Sequence, residues 1–430
     1  MKLNRFLSSV ALALATFAAA VAVGGAAHAR DAAYRVIHDF GQGSDGWLPV
    51  GVPAVTKNGD LIGVTYAGGP NNLGTVYKLS APRTRGGAWT ETILYRFPGG
   101  NGDAYPAFLR IGKDGNLYGV DYSQTIFKLS PPASGDGAWN YSALYTLNQQ
   151  SDGAAIVGLV FDAEGNLYGA AGIGGDLGCG NSGCGTVFEL KRPTKSGGKW
   201  RFSVLYTFTG TPDGAEPFAG VTFDQEGNLY GTTIYDGAYG YGVVYRMNPP
   251  KRKGGAWAET VLYSFDSVND IGANPVGAVV FDGSGNMYGT TGAGGDLNCQ
   301  GGFGCGVVFE LLPPVQKGGA WTYATLYAFQ GGNDGAIPSG YLAFDSQGNL
   351  YGTTQYGGGA TEGGTVYQLK PPAHKGAAWT ETVLHEFIFG SGDGAVPNGL
   401  TWGKWNYLYG VTGEGGTGCQ ACGTAFELHP

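Results

Sequence analysis

Six cysteines are the most specific reactive groups in the chain, and they fall into three close pairs: Cys179/Cys184, Cys299/Cys305 and Cys419/Cys422. Each pair follows a glycine-containing bend, so each belongs to a single loop. Close pairing without clustered histidine favours three disulfides, which form outside the cytoplasm. Zinc is the alternative, but each pair offers only two ligands where structural sites take four. Cys419-Gln-Ala-Cys422 has the C-x-x-C redox spacing, yet no βαβ pattern surrounds it. Neither a metal nor a cofactor is expected.

At the matching bends elsewhere, tyrosine replaces cysteine: Tyr66, Tyr122, Tyr235 and Tyr356. A tyrosine presents a flat apolar face and a hydroxyl, which suits stacking on a sugar ring; ordinary loop packing is the plainer reading. Residues that break the local pattern stand nearby: Asp121 beside Tyr122, Asp236 beside Tyr235, then Glu216, Glu362 and Arg110. Carboxylates beside aromatics could form the acid/base pair of a glycoside hydrolase, given the right separation. The candidate ligand-binding residues are therefore Tyr66, Arg110, Asp121, Tyr122, Tyr235, Asp236, Tyr356 and Glu362. A further acidic set recurs as Asp45, Asp103, Asp152, Asp213, Asp270, Asp334 and Asp393, most continuing as D-G-A-x-P. Asp, Gly and Pro all suit a turn. Seven equivalent carboxylates cannot all be catalytic, because an acid and a base need different surroundings. No P-loop, G-x-S-x-G or H-E-x-x-H occurs.

To gather such residues, distant loops must meet, and the chain is built as a repeat. Phe161-Asp162-Ala163-Glu164-Gly165-Asn166-Leu167-Tyr168-Gly169 recurs from Phe223, Phe281 and Phe344, with weaker copies at Thr56 to Gly63, Gly112 to Gly119 and Trp402 to Gly410. Spacings of about 50–63 residues suit propeller blades of four strands. Each unit carries four strand signals, here lettered A to D from axis to rim. In the third unit A and B flank the turn Asp162 to Asn166, C is Gly185 to Leu190 and D is Phe202 to Phe208. Tyr168, Phe188, Tyr206 and Phe208 and their copies should pack between blades. Asp162, Asp224, Asp282 and Asp345 should cap the A–B turns.

The chain after its leader opens with a D-type strand, Tyr34 to Phe40, and ends with a C-type strand, Gly423 to Leu428. Seven A-B-C sets and seven D strands tally only if the first strand completes the last blade. The expected fold is therefore all-β, a seven-bladed β-propeller with four antiparallel strands per blade, closed by its N-terminal strand. Closure removes the exposed edge of an open array. His38 and His385 take the Tyr position of two D strands, as a metal or proton-relay pair or as tolerated substitutions. The C–D turns gather Arg83, Arg85, Lys191, Arg192, Lys195, Lys251, Arg252, Lys253, Lys317, Lys370 and Lys375 into a basic rim, read equally as a contact for anionic cell-surface polymers or as ordinary solvated turns.

The combined motif is carried by Asp334 to Pro338, Phe344 to Gly358, Gly364 to Leu369 and Gly376 to Phe387. It resembles the GloVer tandem repeat over nearly all of the chain. The resemblance implies a secreted or surface-attached repeat protein and brings no catalytic motif with it.

Composition agrees. Of 430 residues 81 are Gly, while aromatics reach 13% and charged residues only 13%. Disordered chains show the opposite balance. A net charge of -8 gives no ground for nucleic acid. Lys2 and Arg5, the apolar run Phe6 to Val23 and Ala27-His28-Ala29 have the order of a cleaved signal peptide over residues 1–29, leaving a propeller domain at 30–430 with no stable membrane insertion. The expectation is a secreted or periplasmic monomer, a non-catalytic binding module for a polysaccharide or another envelope component. The alternative is a polysaccharide hydrolase or lyase using carboxylates or Tyr at the channel mouth.

Overall fold

The computed structural model describes residues 33–41, 45–99, 104–133, 135, 137–175, 178–195, 197–252, 254–266, 272–299, 302–316, 318–374, 377–419 and 421–430. The expected signal peptide, together with Asp103, Asp270, Lys253, Lys317 and Lys375, lies outside them. Seven antiparallel sheets form a ring of seven blades, six with strands A to D in chain order and the seventh taking its strand D from the N-terminus. In blade 3 these are Ala154–Phe161, Leu167–Ile173, Thr186–Lys191 and Arg201–Thr207. In blade 7 strands A to C are Ala395–Trp402, Leu408–Glu414 and Thr424–His429. The N-terminal strand Ala33–Asp39 completes that blade, pairing Tyr34 with Leu428 and Asp39 with Thr424. Among the described residues no helix is long and apolar enough to cross a membrane.

Glycine and aromatic content explain each other in strand B. An added Cβ at Gly169 would overlap the Phe188 ring of strand C, and the same relation joins Gly63 to Tyr77, Gly119 to Phe127, Gly231 to Tyr245, Gly289 to Phe309, Gly352 to Tyr367 and Gly410 to Phe426. The ring lies flat across its own sheet, and only a glycine leaves room for it. All seven rings are fully buried, and they supply much of the core that the chain's other apolar residues cannot. The expected turn caps are present. Asp162 accepts from the Asn166 backbone at 2.8 Å, and Asp345 from that of Asn349 at 2.9 Å.

The D-G-A-x-P segment departs from its expectation as a simple turn. In blade 3 its counterpart of A-x-P is already strand A, which begins at Ala154. In all seven blades residue x adopts the left-handed conformation: Leu48, Tyr105, Ala155, Glu216, Asn274, Ile337 and Val396, with φ between 55° and 60°. For Ile and Val such a φ is costly, on the order of 1–2 kcal/mol. The twist aims the x N–H at the blade before it. Those N–H groups donate to the carbonyls of Cys422, Leu73, Cys184, Tyr241, Cys305 and Gly363 at 2.8–3.0 Å. The seventh, from Ala155, goes to the Gln124 side-chain oxygen at 2.7 Å.

The proline of the motif then packs on the glycine that opens strand C of the preceding blade, as Pro106 does on Gly74 and Pro397 on Gly364. These glycines have φ of 94° and 95° and face strand B carbonyls, so neither space nor conformation admits a side chain. The blade 2–blade 3 junction alone is built otherwise. Gln124 holds the glycine position with φ 67°, and Ile156 holds the proline position. The two departures occur together: Ile156 stands where the proline wedge would be, and the Gln124 side-chain oxygen takes the x N–H that elsewhere goes to a backbone carbonyl.

Strands D meet at the rim in two ways. Position two of the strand is aromatic in four blades and stacks on the preceding blade's D strand. The pairs are Tyr34 on His385 (3.6 Å), Phe202 on Tyr145 (4.4 Å), Tyr323 on Tyr263 (4.7 Å) and Tyr141 on Tyr95 (5.5 Å). In the other three it is Glu91, Glu259 or Glu381. Among the described residues, D–A loop acids are partners of the D-strand Tyr or His. Tyr145 donates to Asp152 and Tyr206 to Asp213 at 2.7 Å, Tyr327 to Asp334 at 2.9 Å, and His385 lies 3.2 Å from Asp393. Glu259 therefore faces the Tyr206–Asp213 pair and Glu381 the Tyr327–Asp334 pair. Burial, then Asp213, pushes the Glu259 carboxyl up to about 7; burial, then Asp334, pushes Glu381 up to about 8.

Two outcomes are expected. Gln124→Ala removes the acceptor of the Ala155 N–H and should cost about 1–2 kcal/mol by denaturant unfolding, whereas Gln124→Glu, which keeps an acceptor oxygen, should lose less. Equal losses would refute the substitute hydrogen bond. For the rim, unfolded glutamate titrates near 4.3. Between that value and 7–8 the folded state binds the extra protons, so stability is full at low pH and falls as pH rises through this window. Melting temperature should drop between about pH 5 and 8, and the Glu259→Gln/Glu381→Gln variant should flatten that slope.

Candidate functional site

The D–A and B–C loops of all blades lie on one face, the mouth of the ring, because strand A leaves it and strand C returns from it. The x residues define its inner rim. Cys179–Cys184, Cys299–Cys305 and Cys419–Cys422 are bonded as expected, with Cα separations of 5.3, 5.4 and 5.1 Å. Their placement has a reason that spacing alone does not reveal. Cys184, Cys305 and Cys422 are the residues whose carbonyls accept from x of the next blade. Each cystine thus holds an inter-blade acceptor in place.

Two groups of candidate residues form on this face. In the first, Tyr66 stacks on Tyr105 at 4.9 Å and meets Tyr122 edge-on at 5.3 Å. Burial, then the neighbouring hydroxyl of Tyr105 or Tyr66 respectively, raises the Tyr66 and Tyr122 phenols. Tyr122 is 54% exposed and presents its ring to solvent. Tyr105, the x residue of blade 2, was not among the expected residues; the signal was the open choice of residue at x. Asp121 belongs to the scaffold rather than to the surface. It is 2% exposed and accepts from the Thr125 N–H at 2.9 Å, capping the short loop that carries Tyr122.

The second group is in blade 4. Tyr235 is held by paired backbone hydrogen bonds to Ala215 of 2.8 and 3.1 Å, next to the x residue Glu216. Burial, then Asp236, raises the Glu216 carboxyl, and burial, then Glu216, raises the Tyr235 phenol. Asp236 Oδ2 lies 3.6 Å from the Cys179 sulphur. Phe218, Tyr239 and Tyr241 of the same blade are exposed, and the Tyr241 backbone bridges to that of Asp236. Tyr356 sits farther round in blade 6, its phenol raised by burial and then by Glu414, while Glu362 is exposed with φ 52°.

Arg110 stands apart. It pairs with Tyr118 at the A–B end of its blade, whereas Asp121 pairs with Pro106 at the mouth end. Its guanidinium lies 5.1 Å over the Phe108 ring, and burial lowers its pKa against the opposing effect of Tyr341 in blade 6. It belongs to the channel, not to the tyrosine groups. Near the axis the inner strands come close at glycine: an added Cβ at Gly277 would overlap Gly340, and one at Gly158 would lie 3.6 Å from Gly220. Beyond x, the described strand A residues include no Asp or Glu. On the opposite face a groove of about 370 Å³ between blades 2 and 3 mixes Lys113, Arg192 and Lys195 with Asp114, Asp162 and Glu164, so it carries no single sign of charge.

Ring closure, repeat and mouth loops define a seven-bladed β-propeller repeat protein. The chain belongs to the Gloeobacter/Verrucomicrobia repeat family, matched over residues 27–196, 90–303 and 177–426. No curated protein matches its sequence. Among solved structures it is similar to virginiamycin B lyase from Staphylococcus aureus, at 14% identity over 92% of this chain and 99% of that one, with a TM-score of 0.53. It is also similar to PorZ, a surface component of the type-IX secretion system of Porphyromonas gingivalis (15% identity, 90% of this chain and 46% of that one, TM-score 0.53). A third is YCF48 from Cyanidioschyzon merolae (11% identity, 93% and 99%, TM-score 0.52). At these identities the likeness is one of fold.

The cystines give a direct check. Intact mass of the protein alkylated without reductant should show no modified cysteine, and reduction should expose six. Free thiols in the oxidised sample would remove the loop anchors described above.

Proposed function

We propose that the protein is a secreted or periplasmic binding propeller whose mouth face holds a glycan, or another cell-surface macromolecule, without turning it over. One observation carries this reading. Of ten exposed large hydrophobic residues among those described, eight lie on the mouth face: Tyr122, Phe218, Tyr239, Tyr241, Leu297, Phe303, Ile388 and Phe389. Only Leu312 and Val315 lie on the other. Exposed apolar surface gathered on one side of a monomeric fold marks an interaction site. Aromatic rings flanked by hydroxyls and carboxyls fit the apolar faces and hydroxyl edges of sugars. Three disulfides accord with an oxidising compartment. PorZ is a surface component, and a further fold neighbour is the extracellular domain of a two-component system from B. thetaiotaomicron, settings that agree with this one.

A second reading rests on Glu216 and Asp236. A carboxyl raised by burial and by a neighbouring acid is the arrangement a general acid needs, and a glycan hydrolase or lyase would use it. The pair touches the mouth rather than the channel, which the inner strands leave without carboxylates.

Glycan-array binding, run beside reducing-sugar release on a polysaccharide panel, separates the two. Binding without product is the expected result, and product formation abolished by Glu216→Gln would overturn the binding reading. Tyr122→Ala should weaken binding about tenfold, the loss of roughly one stacking contact. Its melting temperature should hold, since the ring is half exposed.

A further inference from the structure

We propose that His38, Asp45 and Glu91 form a divalent transition-metal site, suited to Zn2+, that clasps the last blade to the first. Two of them, His38 and Asp45, are the local strand-D and loop pair found in other blades, and Glu91 reaches them from the next blade across the rim. His38 is on the closing strand Ala33–Asp39, Asp45 is in the loop leading into blade 1, and Glu91 is on strand D of blade 1, Thr90–Arg96. His38 Nε2 lies 3.5 Å from Asp45 Oδ2 and 3.5 Å from Glu91 Oε1, and all three donor atoms fall within 4.8 Å of one another.

Those distances are too long for hydrogen bonds, which favour about 2.7–3.2 Å. They suit ligands sharing one ion: bonds of about 2.0–2.1 Å in tetrahedral geometry place ligand atoms roughly 3.3–3.4 Å apart. The donors are also shielded. The side chains of His38, Asp45 and Glu91 are 18%, 7% and 16% exposed, and neither His38 Nε2 nor Glu91 Oε1 has a hydrogen-bond partner although both are buried. Buried polar atoms left in that state are uncommon. The His38 ring is fixed edge-on against Phe40 at 4.6 Å.

The repeat supplies its own control. At two other rim junctions the same pair of acids faces a tyrosine, and there the hydroxyl closes a hydrogen bond: Tyr206 to Asp213 at 2.7 Å and Tyr327 to Asp334 at 2.9 Å. His385 meets Asp393, but its neighbour across the junction is Tyr34, which stacks on it and adds no carboxylate. Among the described residues only the closing junction sets an imidazole before two acids. One nitrogen and two carboxylates suit Zn2+ or Co2+ rather than Ca2+ or Mg2+, which take oxygen ligands. Water or a second carboxylate oxygen would complete the coordination.

The test uses the mature chain without a histidine tag, stripped with chelator and titrated with Zn2+ and, separately, Co2+. The expected result is one Zn2+ retained per chain, a melting temperature raised by about 3 °C or more at saturation, and visible absorption bands from bound Co2+. His38→Tyr installs the residue used at the other junctions, so it should fold and lose all three effects. Glu91→Gln, which keeps the side chain's size, provides a second variant and should lose them too. A wild-type protein that neither retains nor responds to the metal overturns the site. Unchanged Zn2+ retention in either variant overturns it as well.

Discussion

One hydrogen bond, made seven times, holds the molecule in its working shape. Each runs from the left-handed residue at the head of strand A to the loop that ends before strand C of the previous blade. Strand pairing cannot do this work, because it acts within a blade. Packing between blades is strong but has little direction, and sheets could slide on it. A donor turned out of its own sheet by φ near 57° fixes both the angle and the height of the next blade. The unfavourable conformation persists because hydrogen bond, proline wedge and glycine floor all require it. Since the same loops carry the tyrosines and cystines, the bond that closes the ring also sets the geometry of the mouth.

The last and first blades are joined three times over. Strand Ala33–Asp39 zips along Thr424–His429, the Leu48 N–H reaches the Cys422 carbonyl, and His38 meets Asp45 and Glu91 at the rim. A ring depends on its closing junction, and there the repeat's usual glycine, proline and x hydrogen bond are kept while His38 replaces the rim tyrosine. The cystine Cys419–Cys422 stiffens the acceptor loop at this same place.

The fold was legible because its determinants are local and periodic. Glycine before a strand C aromatic, Asp and Asn in the A–B turn, and a D strand without its blade can each be found along the chain. The site was legible only in outline. Tyr66 and Tyr122 do meet, but Tyr66 also stacks on Tyr105, contributed by the next blade's x position and not singled out along the chain. Asp121 has the composition of a ligand and the role of a loop cap, since nothing in the sequence distinguishes a buried acid from an exposed one. Arg110 shares a blade with Tyr122 yet points to the other end, because strand A separates them by its whole length. The partners of Glu91, Glu259 and Glu381 lie one repeat away, at a separation that no local pattern encodes.

In a repeat protein the invariant positions build the frame, so function must be sought where equivalent positions differ. Blade 2 differs most: Gln124 for glycine, Phe108 in a strand that elsewhere carries glycine, and the shortest B–C loop, bearing the most exposed of the expected tyrosines. The substitutions are linked by geometry. At this junction the acceptor for blade 3 is the glutamine side-chain oxygen in place of a backbone carbonyl. The shorter loop also leaves Tyr122 uncovered beside Tyr66 and Tyr105. The unusual junction is thus the structural cost of an aromatic surface at the mouth, and a chain selected for frame alone would have no reason to depart from its own repeat there.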